Sequence, residues 1–174
     1  MLAVTDNLLR IVNFCFLVIT IGLVSDLIAT RTRHSSRVNY CMFTSAYGIF
    51  SDSLYGVFAN FFEPLAWPLV LFTLDFLNFA FTFTAGTVLA VGIRAHSCNN
   101  QRYLDRETKI IQGSERRCRE AQAAIAFYYF SMAIFLAKMI MSALNLFSNG
   151  AFGNKFIRRR RNAAEVGVPT VSQV

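Results

Sequence analysis

The sequence has few of the residues that carry out enzyme chemistry. It contains two histidines, one tryptophan and three prolines in 174 residues. Both histidines, His34 and His96, lie in polar connections, and their spacing from the nearby serines and cysteines matches no catalytic or zinc pattern. The chain also lacks a glycine-rich phosphate loop and an Asn-x-Ser/Thr glycosylation sequence. We therefore predict that it is not an enzyme and uses no cofactor or metal.

Charged residues are scarce in four long apolar runs, which together make up most of the chain. Each run has more than 20 residues, and about 20 helical residues cross a bilayer core of ~30 Å. We predict an all-α polytopic membrane protein, a four-helix transmembrane bundle with helices at 8–29, 38–62, 65–93 and 121–147. The bundle is predicted to form a single domain at 1–150, followed by a basic cytoplasmic tail at 151–174.

The orientation of this bundle is open, since two signals disagree. With cytoplasmic termini, six basic residues lie inside and ten lie in the two outer polar loops, the reverse of the positive-inside trend. Cys98 and Cys118 lie in one polar loop, 20 residues apart. If that loop is extracytoplasmic, a disulfide between them is expected.

Three ionisable residues lie deep within the apolar runs, at Asp52, Asp75 and Lys138. Their distances from the chain turns place them at similar depths, and polar residues including Asn78 and Asn145 share their helix faces. A charge in the bilayer core costs ~2.5–3.5 kcal/mol on insertion scales, so such residues pair or face water. We interpret them as a buried polar cluster that fixes helix register, with a proton or ion path as the alternative. Two acids against one lysine suggest that one aspartate is protonated or held by polar neighbours.

Several segments resemble the fungal non-classical export protein family, which belongs to the four-helix MARVEL superfamily. The resemblance rests on His-Ser-Ser-Arg-Val-Asn-Tyr-Cys-Met-Phe at 34–43, on Asp-Ser-Leu-Tyr-Gly-Val-Phe-Ala-Asn at 52–60, on the stretch 63–98, on Gly-Ala-Phe-Gly at 150–153, and on Gly-Val-Pro-Thr-Val at 167–171. It implies a plasma-membrane protein with cytoplasmic termini, associated with sterol-rich furrow-like domains and the eisosome. It also implies a response to sphingolipid supply and a role in unconventional protein export. A cysteine pair in an extracellular loop, common in MARVEL proteins, would fit Cys98 and Cys118.

The expected partners are membrane lipids, namely sterol, sphingolipid and anionic phospholipid, together with further copies of the chain or other eisosome proteins. The basic residues flank the apolar runs, which points to lipid headgroups and not to nucleic acid. Phenylalanine-rich faces that include Phe72, Phe76 and Phe83 are predicted to contact lipid or a neighbouring protomer, with internal packing as the alternative.

The tail cations are Lys155, Arg158, Arg159, Arg160 and Arg161. We expect them to bind the anionic leaflet or a peripheral coat, or to set orientation only. A small transporter or channel using Asp52, Asp75 and Lys138 is the alternative function.

Overall fold

The computed structural model describes residues 4–56, 68–94, 98–106 and 109–149, and within them it contains helices and no strand. Helix α1 spans Val4–Ala29, and α2 spans Ser36–Gly48 and continues into a π-helical segment, Ile49–Leu54. Helix α3 spans Pro68–Ile93, the short α4 spans Gln101–Arg106, and α5 spans Glu115–Asn149. The prediction of an all-α fold is confirmed.

Three of these helices, α1, α3 and α5, contain stretches long and apolar enough to cross a membrane. Helix α2 and its π-helical continuation form the fourth helix of the bundle. Their described part ends at Gly56, so the predicted helix end at residue 62 lies outside the described residues, as does the predicted start of α3 at residue 65. The structure therefore supports three spans plus a fourth helix.

Helix α5 begins at Glu115, earlier than the start predicted at residue 121, for an electrostatic reason. Arg119 pairs with Glu115 at 2.5 Å and Arg116 pairs with Glu120 at 2.7 Å, each across one helical turn. Such i,i+4 pairs stabilise helix in polar sequence. Helix α1 is likewise longer than predicted, and Asp6 and Arg10 form the same kind of pair at 2.8 Å in its first turns.

The helices pack closely because small residues face large aromatic ones. A Cβ placed on Gly86 of α3 would lie 3.3 Å from the Cβ of Tyr128 on α5. The Tyr128 hydroxyl donates to the carbonyl oxygen of Cys41 at 2.6 Å and pairs with the Ser45 hydroxyl at 2.7 Å. Tyr128 thus contacts α3 through its stem and α2 through its hydroxyl, and it is fully buried.

A disulfide and a buried arginine hold the connection between α3 and α5 against the bundle. Cys98 and Cys118 are joined by a disulfide, with their Cα atoms 5.8 Å apart. The Arg117 guanidinium donates to the carbonyl oxygens of Leu27 at 3.0 Å and Ile110 at 2.9 Å, and also bonds the Thr30 hydroxyl. A cation here also complements the negative end of the α1 dipole.

Replacing both disulfide cysteines, as Cys98→Ser with Cys118→Ser, is expected to lower the free energy of unfolding by about 3 kcal/mol. The bond closes a chain loop of 20 residues and restricts the unfolded state. Thermal unfolding in detergent without reductant measures the loss. Cys15→Ala is the control, since Cys15 is a free, exposed cysteine on α1. An unchanged midpoint, or free thiols at both positions in mass-shift labelling, would contradict the prediction.

Candidate functional site

The candidate site is a buried charge network at the end of the bundle nearer the start of α1. It contains the three ionisable residues singled out from the sequence, and α1 adds a fourth, Arg10. The side chains of Asp52, Asp75 and Lys138 are almost completely buried, with residue exposures of 1%, 3% and 0%. Charges removed from solvent to this extent are tolerated only with close partners.

The π-helical segment brings Asp52 to the centre of this network. A π-helical turn accommodates more residues than an α-helical turn and so changes which side chains face inward. Here Ser51 bonds back to the Tyr47 carbonyl oxygen at 2.7 Å, and its hydroxyl also lies 2.8 Å from the amide nitrogen of Asn78 on α3. These two bonds fix the backbone next to Asp52 against α3.

Asp52 accepts hydrogen bonds from two helices. From α1, Arg10 Nη1 donates to Asp52 Oδ1 at 2.6 Å, and Asn13 Nδ2 donates to Asp52 Oδ2 at 2.9 Å. From α5, Lys138 Nζ donates to Asp52 Oδ1. Asp52 therefore links the fourth helix to α1 and α5 at the same point.

Asp75 on α3 completes the network through α5. Lys138 Nζ lies 2.9 Å from Asp75 Oδ1, and the Ser142 hydroxyl donates to Asp75 Oδ2 at 3.1 Å. The Lys138 ammonium also lies 5.2 Å from the centre of the Phe135 ring, within the range of a cation–π contact. Lys138 is thus shared by two carboxylates, one from each of two neighbouring helices.

Arg10 is the network residue that the sequence reading missed. From the sequence it counts only as one of the basic residues on the side of the termini, but it is buried and contacts Asp6, the Asp52 carboxylate and the Asp52 carbonyl oxygen. Arg10 also brings Asp6 into the network, which therefore holds three acids and two cations. Asn13 and Ser142 donate hydrogen bonds to Asp52 and Asp75, the two aspartates identified from the sequence. The signal in the sequence was the i,i+4 spacing of Asp6 and Arg10, which lets the pair enter an apolar environment together.

Gly56 makes room for the Arg10 side chain. A Cβ at this position would lie 2.6 Å from Arg10 Nη1 and 3.0 Å from its Cδ. Any larger residue would therefore push the guanidinium away from Asp52. The glycine belongs to the network although it contributes no polar group.

The remaining predicted site residues are placed as follows. Asn78 is buried and bonds Ser51, whereas Asn145 lies within α5 and its side chain is outside the described residues. Phe72 is half-buried, and Phe76 and Phe83 are each 49% exposed on the outer face of α3. The tail cations at 155–161 also lie outside the described residues.

The geometry of the network is suited to holding the four helices in one arrangement. Each carboxylate oxygen of Asp52 and Asp75 has a donor from within the bundle. No group of three or more histidine, cysteine, aspartate or glutamate residues suited to a metal ion occurs in the described part of the chain. What the network does chemically is to hold opposite charges together across four helices.

Comparison with known proteins gives the family. The MARVEL model, described as a membrane-associating domain, matches residues 3–141, which include the whole charge network and both disulfide cysteines. The chain is 73% identical to non-classical export protein 2 of Saccharomyces cerevisiae, with both chains covered completely. The chain belongs to the MARVEL family, among the fungal non-classical export proteins.

Other non-classical export proteins are similar over the same length. Non-classical export protein 2 homolog 1 of S. cerevisiae is 55% identical, and non-classical export protein 102 of Candida albicans is 53% identical, each over the whole of both chains. No solved structure matches the chain. The MARVEL assignment and the apolar helices agree that this is a multi-pass membrane protein.

Lys138→Met is expected to destabilise the fold by about 3–5 kcal/mol, because it leaves Asp75 buried without a cation. Adding Asp75→Asn should recover much of this loss, since Ser142 can still bond the amide and Asp52 keeps Arg10 and Asn13. Thermal unfolding of the purified single and double variants in detergent measures both steps. A double variant less stable than Lys138→Met alone would show that Lys138 does not act by compensating Asp75.

Gly56→Ala is expected to lower the free energy of unfolding by roughly 1–3 kcal/mol, as overpacking of a buried site does. The matched control is Gly22→Ala on α1, where a Cβ would meet nothing within 4 Å. There, removing a helix glycine should be neutral or stabilising by up to ~1 kcal/mol. Equal unfolding midpoints for the two variants would rule out the steric role of Gly56.

Proposed function

We propose that this protein is a non-enzymatic organiser of lateral plasma-membrane domains of the eisosome and furrow type. In this role it responds to the sterol and sphingolipid content of the membrane and takes part in protein export outside the classical secretory route. The names of its relatives support the export role, and the membrane-associating family supports the site of action.

The closed charge network is the observation that carries this proposal. An ion passing Asp52 or Asp75 would have to displace donors that already occupy all four carboxylate oxygens. Displacing Arg10 or Lys138 would leave a buried cation unpaired, which costs several kcal/mol. The network is thus suited to keeping the helices in one arrangement, and the working surface is then the outside of the bundle.

The outer surface of the bundle is rich in large apolar side chains. They occur on every long helix, and examples more than 50% exposed are Leu8, Ile11, Phe43, Phe50, Val91, Phe130 and Leu144. In a membrane this surface contacts lipid chains, sterol or a second copy of the protein. Flat aromatic side chains such as Phe76 and Phe83 are suited to rigid sterol rings and saturated chains.

Cytoplasmic termini fit this role, and the paired cysteines favour them because disulfides persist in extracytoplasmic compartments. The excess of cations in the opposite loops is the argument against this orientation, since acidic partners count for little in the positive-inside trend. With this orientation the tail cations at 155–161 face the anionic cytoplasmic leaflet, where each contributes ~1 kcal/mol of attraction.

Phe76→Ala with Phe83→Ala is expected to reduce labelling by a photoactivatable sterol severalfold and to make a fluorescent fusion diffuse in the plasma membrane. Both side chains are about half exposed, so their removal should leave the core intact. Leu89→Ala is a control for packing, because Leu89 is fully buried on the same helix and cannot contact sterol. Sterol labelling confined to the loops, or clustered protein in the double variant, would contradict the organiser proposal.

The transporter alternative is tested by measuring ion flux across vesicles reconstituted with the purified protein. This alternative rests on Lys138, whose ammonium group contacts both Asp52 and Asp75 and would pass an ion or proton from one carboxylate to the other. The organiser proposal predicts no ion flux above that of protein-free vesicles. Robust flux that Asp52→Asn abolishes would establish the transporter instead.

A further inference from the structure

A basic cavity lies at the disulfide-bonded end of the bundle, between the start of α2 and the end of α3. Its volume is about 650 Å³. Four of its lining residues carry a positive charge at neutral pH, namely Arg33, Arg37, Arg94 and Lys109. No aspartate or glutamate lines it among the described residues. The cavity is therefore a concentration of like charge with room for a ligand.

Three cations of this cavity, Arg33, Arg37 and Lys109, differ from the other cations at the same end of the protein. Arg116 and Arg119 have acidic partners on α5, and Arg117 is bound to carbonyl oxygens. By contrast, the structure of the described residues gives the side chains of Arg33 and Lys109 no ion pair or hydrogen bond. The Arg37 side chain also has no ion pair or hydrogen bond with the described residues. Like charges held close together without acids are mutually repulsive, and an anion between them removes that repulsion.

The cavity lies where a lipid headgroup would be. Val91 forms its apolar edge, is 61% exposed, and lies in the last turn of α3. Phe83 and Phe76 are also exposed farther along the same side of α3, with Thr87 between Val91 and Phe83, and together the three apolar side chains form a stripe. The stripe from Val91 to Phe83 is ~12 Å long at 1.5 Å per residue, comparable to much of one leaflet.

We propose that this cavity binds the anionic, phosphate-bearing headgroup of a membrane lipid, whose acyl chains lie along the stripe formed by Val91, Phe83 and Phe76. Arginine guanidinium groups bind phosphate oxygens in bidentate geometry. With cytoplasmic termini, this headgroup would belong to a phosphate-bearing lipid of the outer leaflet. The exposed apolar side chains of Val91, Phe83 and Phe76 favour a lipid over a soluble anion, which would gain nothing from them. The site rests on this geometry alone and does not depend on the proposed organiser function.

The test uses full-length protein in nanodiscs of phosphatidylcholine containing a minor fraction of phosphatidylinositol. Native mass spectrometry after release from the nanodisc counts the phosphatidylinositol retained per protein. Arg33→Gln with Arg37→Gln is expected to reduce this retention roughly tenfold, because two of the four cavity cations are lost. Arg102→Gln with Arg119→Gln is the matched control, since it makes the same charge change on the same side of the protein outside the cavity. The control variant should retain phosphatidylinositol as the original chain does.

Three further results decide the proposal. Equal loss of phosphatidylinositol in both double variants would overturn it, because attraction would then depend on overall charge. Inorganic phosphate that raises the unfolding midpoint in pure phosphatidylcholine as much as phosphatidylinositol does would overturn the lipid assignment. An unchanged midpoint of Arg33→Gln with Arg37→Gln in pure phosphatidylcholine, together with selective loss of bound lipid, would support the site as proposed.

Discussion

The burial of Asp52 between Arg10 and Lys138 is the interaction on which the arrangement of the helices depends. Asp52 is contributed by the fourth helix and is bonded by α1 and α5, while Lys138 extends the contact to Asp75 on α3. In lipid, apolar contacts between helices are no more favourable than contacts with lipid tails, so packing and polar bonds decide which helices associate. A shared charge network therefore specifies which helices are neighbours and at what depth they meet.

The two ends of the bundle use different means of cohesion. Near the start of α1 the charge network joins the helices from inside, and Gly56 admits the Arg10 side chain. At the opposite end, the disulfide and Arg117 attach the connecting segment to α1 and α5. Between them, Tyr128 bonds the α2 backbone and packs on Gly86. Polar contacts thus lie inside along the whole length, which leaves the outer faces apolar.

Much of this fold was accessible from hydropathy and spacing, whereas the details of the charge network were not. The long apolar runs predict the helices because bilayer thickness sets their length, and the depths of Asp52, Asp75 and Lys138 predict that they lie near one another. Arg10 was missed because basic residues commonly lie near the end of an apolar run, where they need no buried partner. The π-helical segment depends on bonds from Ser51 to another helix, and such tertiary contacts leave no local pattern. Arg117 was counted as a loop cation, although the adjacent apolar pair Ile110 and Ile111 in that polar loop hinted at a buried segment.

The charge network also has a consequence for the order in which the chain is made. Asp6 and Arg10 are synthesised together and can neutralise each other within α1, so the first helix can enter the membrane with its charge balanced. Asp52 and Asp75 follow, but Lys138 lies on the last helix and reaches the ribosome exit long after them. Until α5 inserts, Asp75 has no cation. A nascent or truncated chain lacking α5 therefore carries an acidic group in the membrane without its cation, so insertion of α5 completes the charge balance of the bundle.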